Sequence, residues 1–470
     1  MQVFYFLIDF FNEGGKAMSL KKKLLVVAAG TALTAAMAVP AMALENEFHG
    51  MMAVRGFNSN YLAGTAGRLN IDGDSATTRN WVEQRARIFY TAKANDDLKL
   101  VTGFELDSVW GNSSYTTGRN LGGALGSDTT NIETKWVYLD FNEPFAGSNF
   151  KVGIQGLNDS YKGLIFGVGA DAAGIQVSKT FGPATGTLGF FRLDDRNTGT
   201  AAAGKQTRDL LTATGSYALS KDVKVGGSYY FLNSDNSAKQ TQQTVAIPTD
   251  PATDYNVHIL GVNAAATVGP VALDGFGIYE FGTVGAAHVN AYAGNVGAKI
   301  KAGPGSVKVS ALYVSGNNST TFGGNSFVSI NNSGSNAFSE NGVGALGNMF
   351  LLVRNPKETT NEQSIIAESG NNNQGIIGGS VGYDLAIDKL FASANVGMAA
   401  TAKSQAGRDS KYIGTEINSE VGYKLYDNLS ALVRVAYVVL GDYYKGTSTT
   451  KPGTDPANPY ETQLVFSYTF

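Results

Sequence analysis

Cysteine is absent from the 470 residues, and histidine occurs only at His49, His258 and His288. The first absence excludes a disulfide framework, a thiolate zinc centre, covalently attached haem and an iron–sulfur cluster. The second leaves most histidine-dependent catalysis short of parts, and no motif supplies any of the three with a Ser or Asp partner. Proline is scarce at 11, and the 58 glycines follow no collagen period, so neither a Pro-rich disordered chain nor a collagen-like one fits. No sign of charge dominates. The 36 basic and 39 acidic residues give a net charge of −3, too balanced to draw in nucleic acid. Gly122-Gly123 and Gly323-Gly324 follow no strand–helix pattern and make no phosphate loop. No pattern calls for a cofactor or a metal. What the chain does have is apolar and aromatic surface, 43% and 11% of its residues, enough to exclude disorder as a whole.

The one extended apolar run is Leu24–Val39, 16 residues against the roughly 20 that a spanning helix needs. Met18-Ser19-Leu20-Lys21-Lys22-Lys23 precedes it and Ala41-Met42-Ala43 follows. A charged start, a short apolar stretch and a small-residue cleavage site together describe a secretory signal peptide over 18–43. The exported chain is then 44–470. Residues 1–17 read as an upstream extension, because Glu13-Gly14-Gly15 is what a purine-rich run would encode two codons before Met18. A longer charged start is the other reading of that stretch.

From Leu44 onward, segments of about ten residues alternate apolar and polar with period 2, and helical periodicity is nearly absent. Over 82–93, Val82, Ala86, Ile88, Tyr90 and Ala92 share one face while Glu83, Arg85, Arg87 and Lys93 share the other. Over 98–110, Leu98, Leu100, Phe104, Leu106 and Trp110 oppose Lys99, Glu105 and Asp107. Ile417, Val421, Tyr423 and Leu425 oppose Glu416, Asn418 and Glu420, and Val433, Val435 and Tyr437 oppose Arg434. A half-buried soluble sheet would alternate in the same way. The connections discriminate, because short ones (near 95–97, 142–149, 182–183, 220–222, 269–270, 303–305, 388–389 and 427–428) alternate with long polar ones. The long ones are 58–79, 111–130, 158–173, 195–207, 233–254, 282–290, 316–374, 401–412 and 442–458. Sorting loop length by side is the signature of a transmembrane antiparallel β-barrel with short periplasmic turns and long extracellular loops. The count predicts an all-β fold of 18 strands. The weaker alternation over 174–181 and 187–194 leaves 16 as the other even number.

The chain stops on a strand whose Leu464, Phe466, Tyr468 and Phe470 share one face. As a soluble edge this would invite aggregation; closed against a first strand over 47–57 it has no edge. With the signal peptide, the loop alternation and this terminal Phe, the chain resembles the Gram-negative outer-membrane porins of the general diffusion type. QRARIFYTAKANDDLKL (84–100), KWVYLDF (135–141), KVGIQGL (151–157) and QLVFSYTF (463–470) are the stretches most like that family. The resemblance implies a cell outer-membrane location, surrounding lipid and lipopolysaccharide, small hydrophilic solutes as cargo and homotrimeric assembly. It also implies that Leu464, Phe466, Tyr468 and Phe470 form the signal read by the barrel assembly machinery. A basic residue common in porins before the Gln of the Gly-x-Gln stretch is replaced here by Ile154.

Turning the apolar faces outward turns Arg55, Arg85, Arg87 and Arg434 inward, on strands that become neighbours when the barrel closes. Glu83, Lys93, Lys99, Glu105, Asp107, Glu416 and Glu420 share that phase, and such charges also simply pair among themselves in any wide barrel. Loop 158–173 is unusually apolar (Leu164, Ile165, Phe166, Val168), and an apolar loop should not stand in water. In porins the third loop folds into the lumen, and this one looks similar, bringing Asp159 and Asp171 with it. Opposed charge at a constriction sets up a transverse field that orients polar solutes. Loop 316–374 holds 13 asparagines and reads as an exposed, low-complexity surface, with an apolar centre MFLLVRNP (349–356) that is a lid, a trimer latch or an inserted strand. Two functions follow: a passive channel for small hydrophilic solutes, or a structural or adhesive barrel with a closed lumen and partner-binding loops. Neither is an enzyme.

Overall fold

The computed structural model describes residues 44–61, 78–113, 121–126, 132–166, 170–195, 207–234, 254–319, 322–330, 344–353, 364–366, 369–405, 407–448 and 453–470. Residues 1–43, read above as an upstream extension and a signal peptide, lie outside them. The barrel unit is Asn46–Phe470.

Its first nine strands are Glu45–Ser59 (β1), Arg79–Asn95 (β2), Leu98–Val109 (β3), Glu133–Asn142 (β4), Asn149–Leu157 (β5), Ala170–Phe181 (β6), Ala184–Asp195 (β7), Thr207–Ala218 (β8) and Val223–Ser234 (β9). The rest are Tyr255–Val268 (β10), Val271–Val284 (β11), Ala287–Ala302 (β12), Gly305–Val314 (β13), Ile376–Ile387 (β14), Leu390–Ala400 (β15), Tyr412–Tyr426 (β16), Leu429–Leu440 (β17) and Tyr460–Thr469 (β18). Each pairs antiparallel with its neighbours in chain order, and β1 pairs with β18 from Met51 opposite Thr469 to Ser59 opposite Glu461. The strand count is therefore 18. Beyond the ladder, Gly50 and Phe470 exchange backbone hydrogen bonds of 2.9 and 3.1 Å. Closure matters because an unpaired backbone polar group in hydrocarbon costs several kcal/mol, roughly the value of a buried orphan.

All eight expected short turns are short. Of the nine expected long loops, 282–290 is not one: β11 and β12 are joined by Gly285-Ala286 alone. Gly285, at φ 57°, supplies the left-handed turn that such a tight hairpin requires. The small, polar residues around it belong to the two strands.

The apolar phase faces outward. Val433, Val435, Tyr437 and Val439 on β17 are each 44–46% exposed, while Leu432, Arg434, Ala436 and Val438 between them are buried. Leu464, Phe466 and Tyr468 on β18 and Phe470 just beyond it are exposed, and Tyr468 stacks on Phe470 with centroids 5.7 Å apart. Exposed valine and phenylalanine at every second position suit lipid rather than water. Among the described residues no helix is long and apolar enough to cross a membrane; the chain crosses with strands.

Candidate functional site

The inward phase builds two unlike walls. On β1–β6 and β16–β18 it is ionic. Arg55 of β1 lies 3.8 Å from Glu83 of β2. Arg85 grips Asp107 of β3 in a fork of 2.8 and 2.7 Å and lies 3.1 Å from Glu105, which also takes Arg87. Bidentate pairing of this kind fixes geometry as well as charge. Lys135 of β4 comes within 3.9 Å of Glu105 and donates to Asp171 of β6 at 2.9 Å; Trp136 Nε1 donates to the other Asp171 oxygen at 2.7 Å. Towards the periplasmic turns, Lys93 meets Asp96 at 3.1 Å and Lys99 meets Asp140 at 3.5 Å. Across the closure, Arg434 of β17 pairs with Glu420 of β16 and donates to Gln463 of β18 at 3.4 Å. The four arginines thus sit on one contiguous stretch of wall, each with a carboxylate beside it.

Lys135 was hidden by alternation. It shares the odd phase of Val137 and Leu139, which face outward at 41% and 45% exposure, yet it is itself buried. A bulge explains this. Gly103 opposes Trp136 and Phe104 opposes Thr134, so Lys135 is the extra residue and is turned from the lipid phase towards Glu105. An isolated lysine in a lipid-facing phase was the available signal.

The opposite wall is covered by two loops. Loop 158–169 carries Tyr161, Leu164, Ile165 and Phe166, all fully or almost fully buried. It leaves β5 and reaches the far side: Tyr161 bonds Ser228 of β9 and meets the Phe276 ring of β11 edge-on at 5.4 Å. Lys162 donates to Asn295 of β12 at 2.9 Å and pairs with Asp274 of β11 at 2.5 Å. Gly261 of β10 makes room, since a Cβ there would overlap the Tyr161 hydroxyl. Asp159 does not reach the arginines. Its two oxygens accept the backbone N–H groups of Tyr161, Gly163, Ile165 and Phe166 at 2.7–3.0 Å. That carboxylate fixes a turn in which Lys162 (φ 56°) and Gly163 (φ 80°) are both left-handed. Burial pushes its pKa above the usual aspartate range, against the four amides that pull it down. Asp171, at the other end of the loop, is a residue of β6 held by Lys135 and Trp136.

Loop 316–374, the expected exposed surface segment, lies within the observed connection 315–375 between β13 and β14. Its described parts turn inward instead. Met349–Val353 are buried, and the backbone N–H groups of Phe350, Leu351 and Leu352 all donate to Glu416 of β16, at 2.6, 2.9 and 2.6 Å. Asn418 clamps the same turn, donating to the Asn348 carbonyl and to Glu416 at 2.7 Å each. Glu280 of β11 accepts from Val328 N–H at 2.8 Å. The two loops also join each other: Ile330 N–H donates to Ile165 O at 2.7 Å and Ser369 to Leu164 O at 2.6 Å. The asparagine run has a backbone use. Asn371, Asn372 and Asn373 all have positive φ (47°, 53°, 67°), which asparagine tolerates better than other side chains with a Cβ. Glu416 and Glu420 therefore differ: one anchors a loop and the other pairs with an arginine.

No protein-family model and no curated protein matches the sequence. The fold does have solved counterparts. The crystal structure of Acinetobacter baumannii OccAB4 superposes with a TM-score of 0.53 at 12% identity, over 92% of this chain and 99% of that one. Pseudomonas aeruginosa OpdQ gives 0.54 at 14% identity, over 90% and 97%, and P. aeruginosa OccD3 (OpdP) gives 0.53 at 11%, over 91% and 92%. The chain has the fold of these proteins, a closed 18-strand antiparallel barrel.

Proposed function

We propose that this protein is an outer-membrane channel through which small hydrophilic solutes and ions diffuse passively. The observation that carries the reading is the division of the inward face. Ion-paired side chains occupy β1–β6 and β16–β18, while loops 158–169 and 315–375 pack as one apolar body over β9–β16. A water path bounded by such walls is narrowed on one side by greasy backbone and edged on the other by fixed charge. That arrangement favours polar solutes and filters them by size and dipole. The packed loops also suit the competing reading, a structural barrel with a closed lumen. Planar-bilayer recording of the purified protein separates the two: discrete conductance steps support the channel, and their absence supports the closed barrel.

A further inference from the structure

At the periplasmic end the inward phase changes character. On β12 the odd positions Val289, Ala291, Ala293 and Asn295 are buried while Tyr292 and Val296 are exposed, so Lys299 and Lys301 continue the inward phase. On β13 the even positions Leu312 and Val314 are buried, which turns Lys308 inward as well. Lys299 stands directly opposite Lys308 in the ladder. Directly opposed like charges are only about 5 Å apart at Cβ and destabilise a sheet. Another opposed pair of lysines, Lys93 and Lys99, is relieved because each lysine has its own aspartate. Here only Lys308 is relieved, by Asp384 of β14 at 2.6 Å. Lys224, in the inward phase of β9, stands three strands from β12 at the level of Gly297 and adds a more distant charge to the same wall. Among the described residues Lys224, Lys299 and Lys301 are solvent-exposed and have no carboxylate partner. Asp274 of β11, in the inward phase of the same wall, is taken by Lys162 from the loop above.

We propose that Lys299, Lys301 and Lys308 form a binding site for a small multivalent anion of the phosphate class inside the periplasmic mouth. Lipid headgroups are poor occupants, because these three side chains lie in the phase opposite the lipid-facing Val296, Ile300 and Val309. Ammonium groups on separate, flexible stems suit a compact polyanion as point charges. The site rests on the reading of the lumen as open to water, but its binding does not depend on conduction. The test is therefore calorimetric titration of the folded full chain in neutral detergent with inorganic pyrophosphate. Saturable binding is expected, weakening as salt rises, and dropping at least tenfold in Lys299→Gln/Lys308→Gln. Lys389→Gln, at a turn on the same side, should leave it intact. In bilayers, pyrophosphate should impede current from the periplasmic side only. Binding without conductance would uphold the site and overturn the channel. No binding, or equal loss in Lys389→Gln and the double variant, would overturn the site.

Discussion

The guanidinium of Arg434 lies over the ring of Phe350, 5.5 Å from its centroid. This is where the ionic wall meets loop 315–375, and a cation over an aromatic face attracts it by up to about 2 kcal/mol when desolvated. Arg434→Gln should shift the reversal potential towards cations, and neutralising Arg85 with it should shift it further. The shift should shrink between 0.1 M and 1 M salt, as the Debye length falls from about 10 Å to about 3 Å. An unchanged reversal potential at low salt would remove these arginines from the conducting path.

Gly261→Val places a side chain where the Tyr161 hydroxyl sits. Overpacking of this kind costs about 1–3 kcal/mol, and the loop rather than the ladder should yield. Protease should then cut within 158–169 in the folded variant and spare it in the parent. Equal protection would show that Tyr161 does not need the gap.

Asp159 gives loop 158–169 an acid-side dependence. Its folded pKa is raised above the ordinary 3.8, so the folded loop holds the proton more tightly than the free loop does. The stabilisation is fully present below 3.8 and is lost as pH rises through the raised value. Protease protection of the loop should therefore be highest in acid and decline upward, while Asp159→Asn should flatten that profile. A rise in protection with pH would reverse the sign and contradict the account.

Phe470 packs against Tyr468 and lies beside Gly50 at the closing seam. Removing its ring deletes lipid-facing apolar area, worth at most about 3–5 kcal/mol by core precedent. Phe470→Ala should lower the amount of heat-modifiable barrel recovered from the outer membrane. Parent-level recovery would mean that closure, rather than the terminal ring, directs assembly.

The barrel was legible because two periodic signals, side-chain alternation and loop length, are local. The phases of Arg55, Arg85, Arg87 and Arg434 followed from their own segments. Pairing follows register: Arg434 meets Glu420 and Arg85 meets Asp107, each the residue directly opposite on the neighbouring strand. Lys135 was obscured by a bulge, which inverts every inference drawn from alternation. The inward course of loop 315–375 was masked by composition. Thirteen asparagines read as a solvated surface, whereas three of them serve left-handed backbone and the apolar MFLLV is fixed by a carboxylate 64 or more residues away. Asp159 looked like a pore charge because nothing in a sequence shows which N–H groups a carboxylate will face.

The central claim is a water-filled lumen narrowed by loops that side chains of the wall hold in place. Single-channel recording of the parent and of Glu416→Ala tests it most directly. That substitution leaves the three N–H groups of Phe350, Leu351 and Leu352 without their acceptor, at about 1–3 kcal/mol per orphaned group. The parent should show discrete ohmic steps, and Glu416→Ala should show larger and noisier ones as Met349–Val353 leave the lumen. Silent bilayers with both proteins, each verified as a folded barrel by heat-modifiable migration, would contradict it.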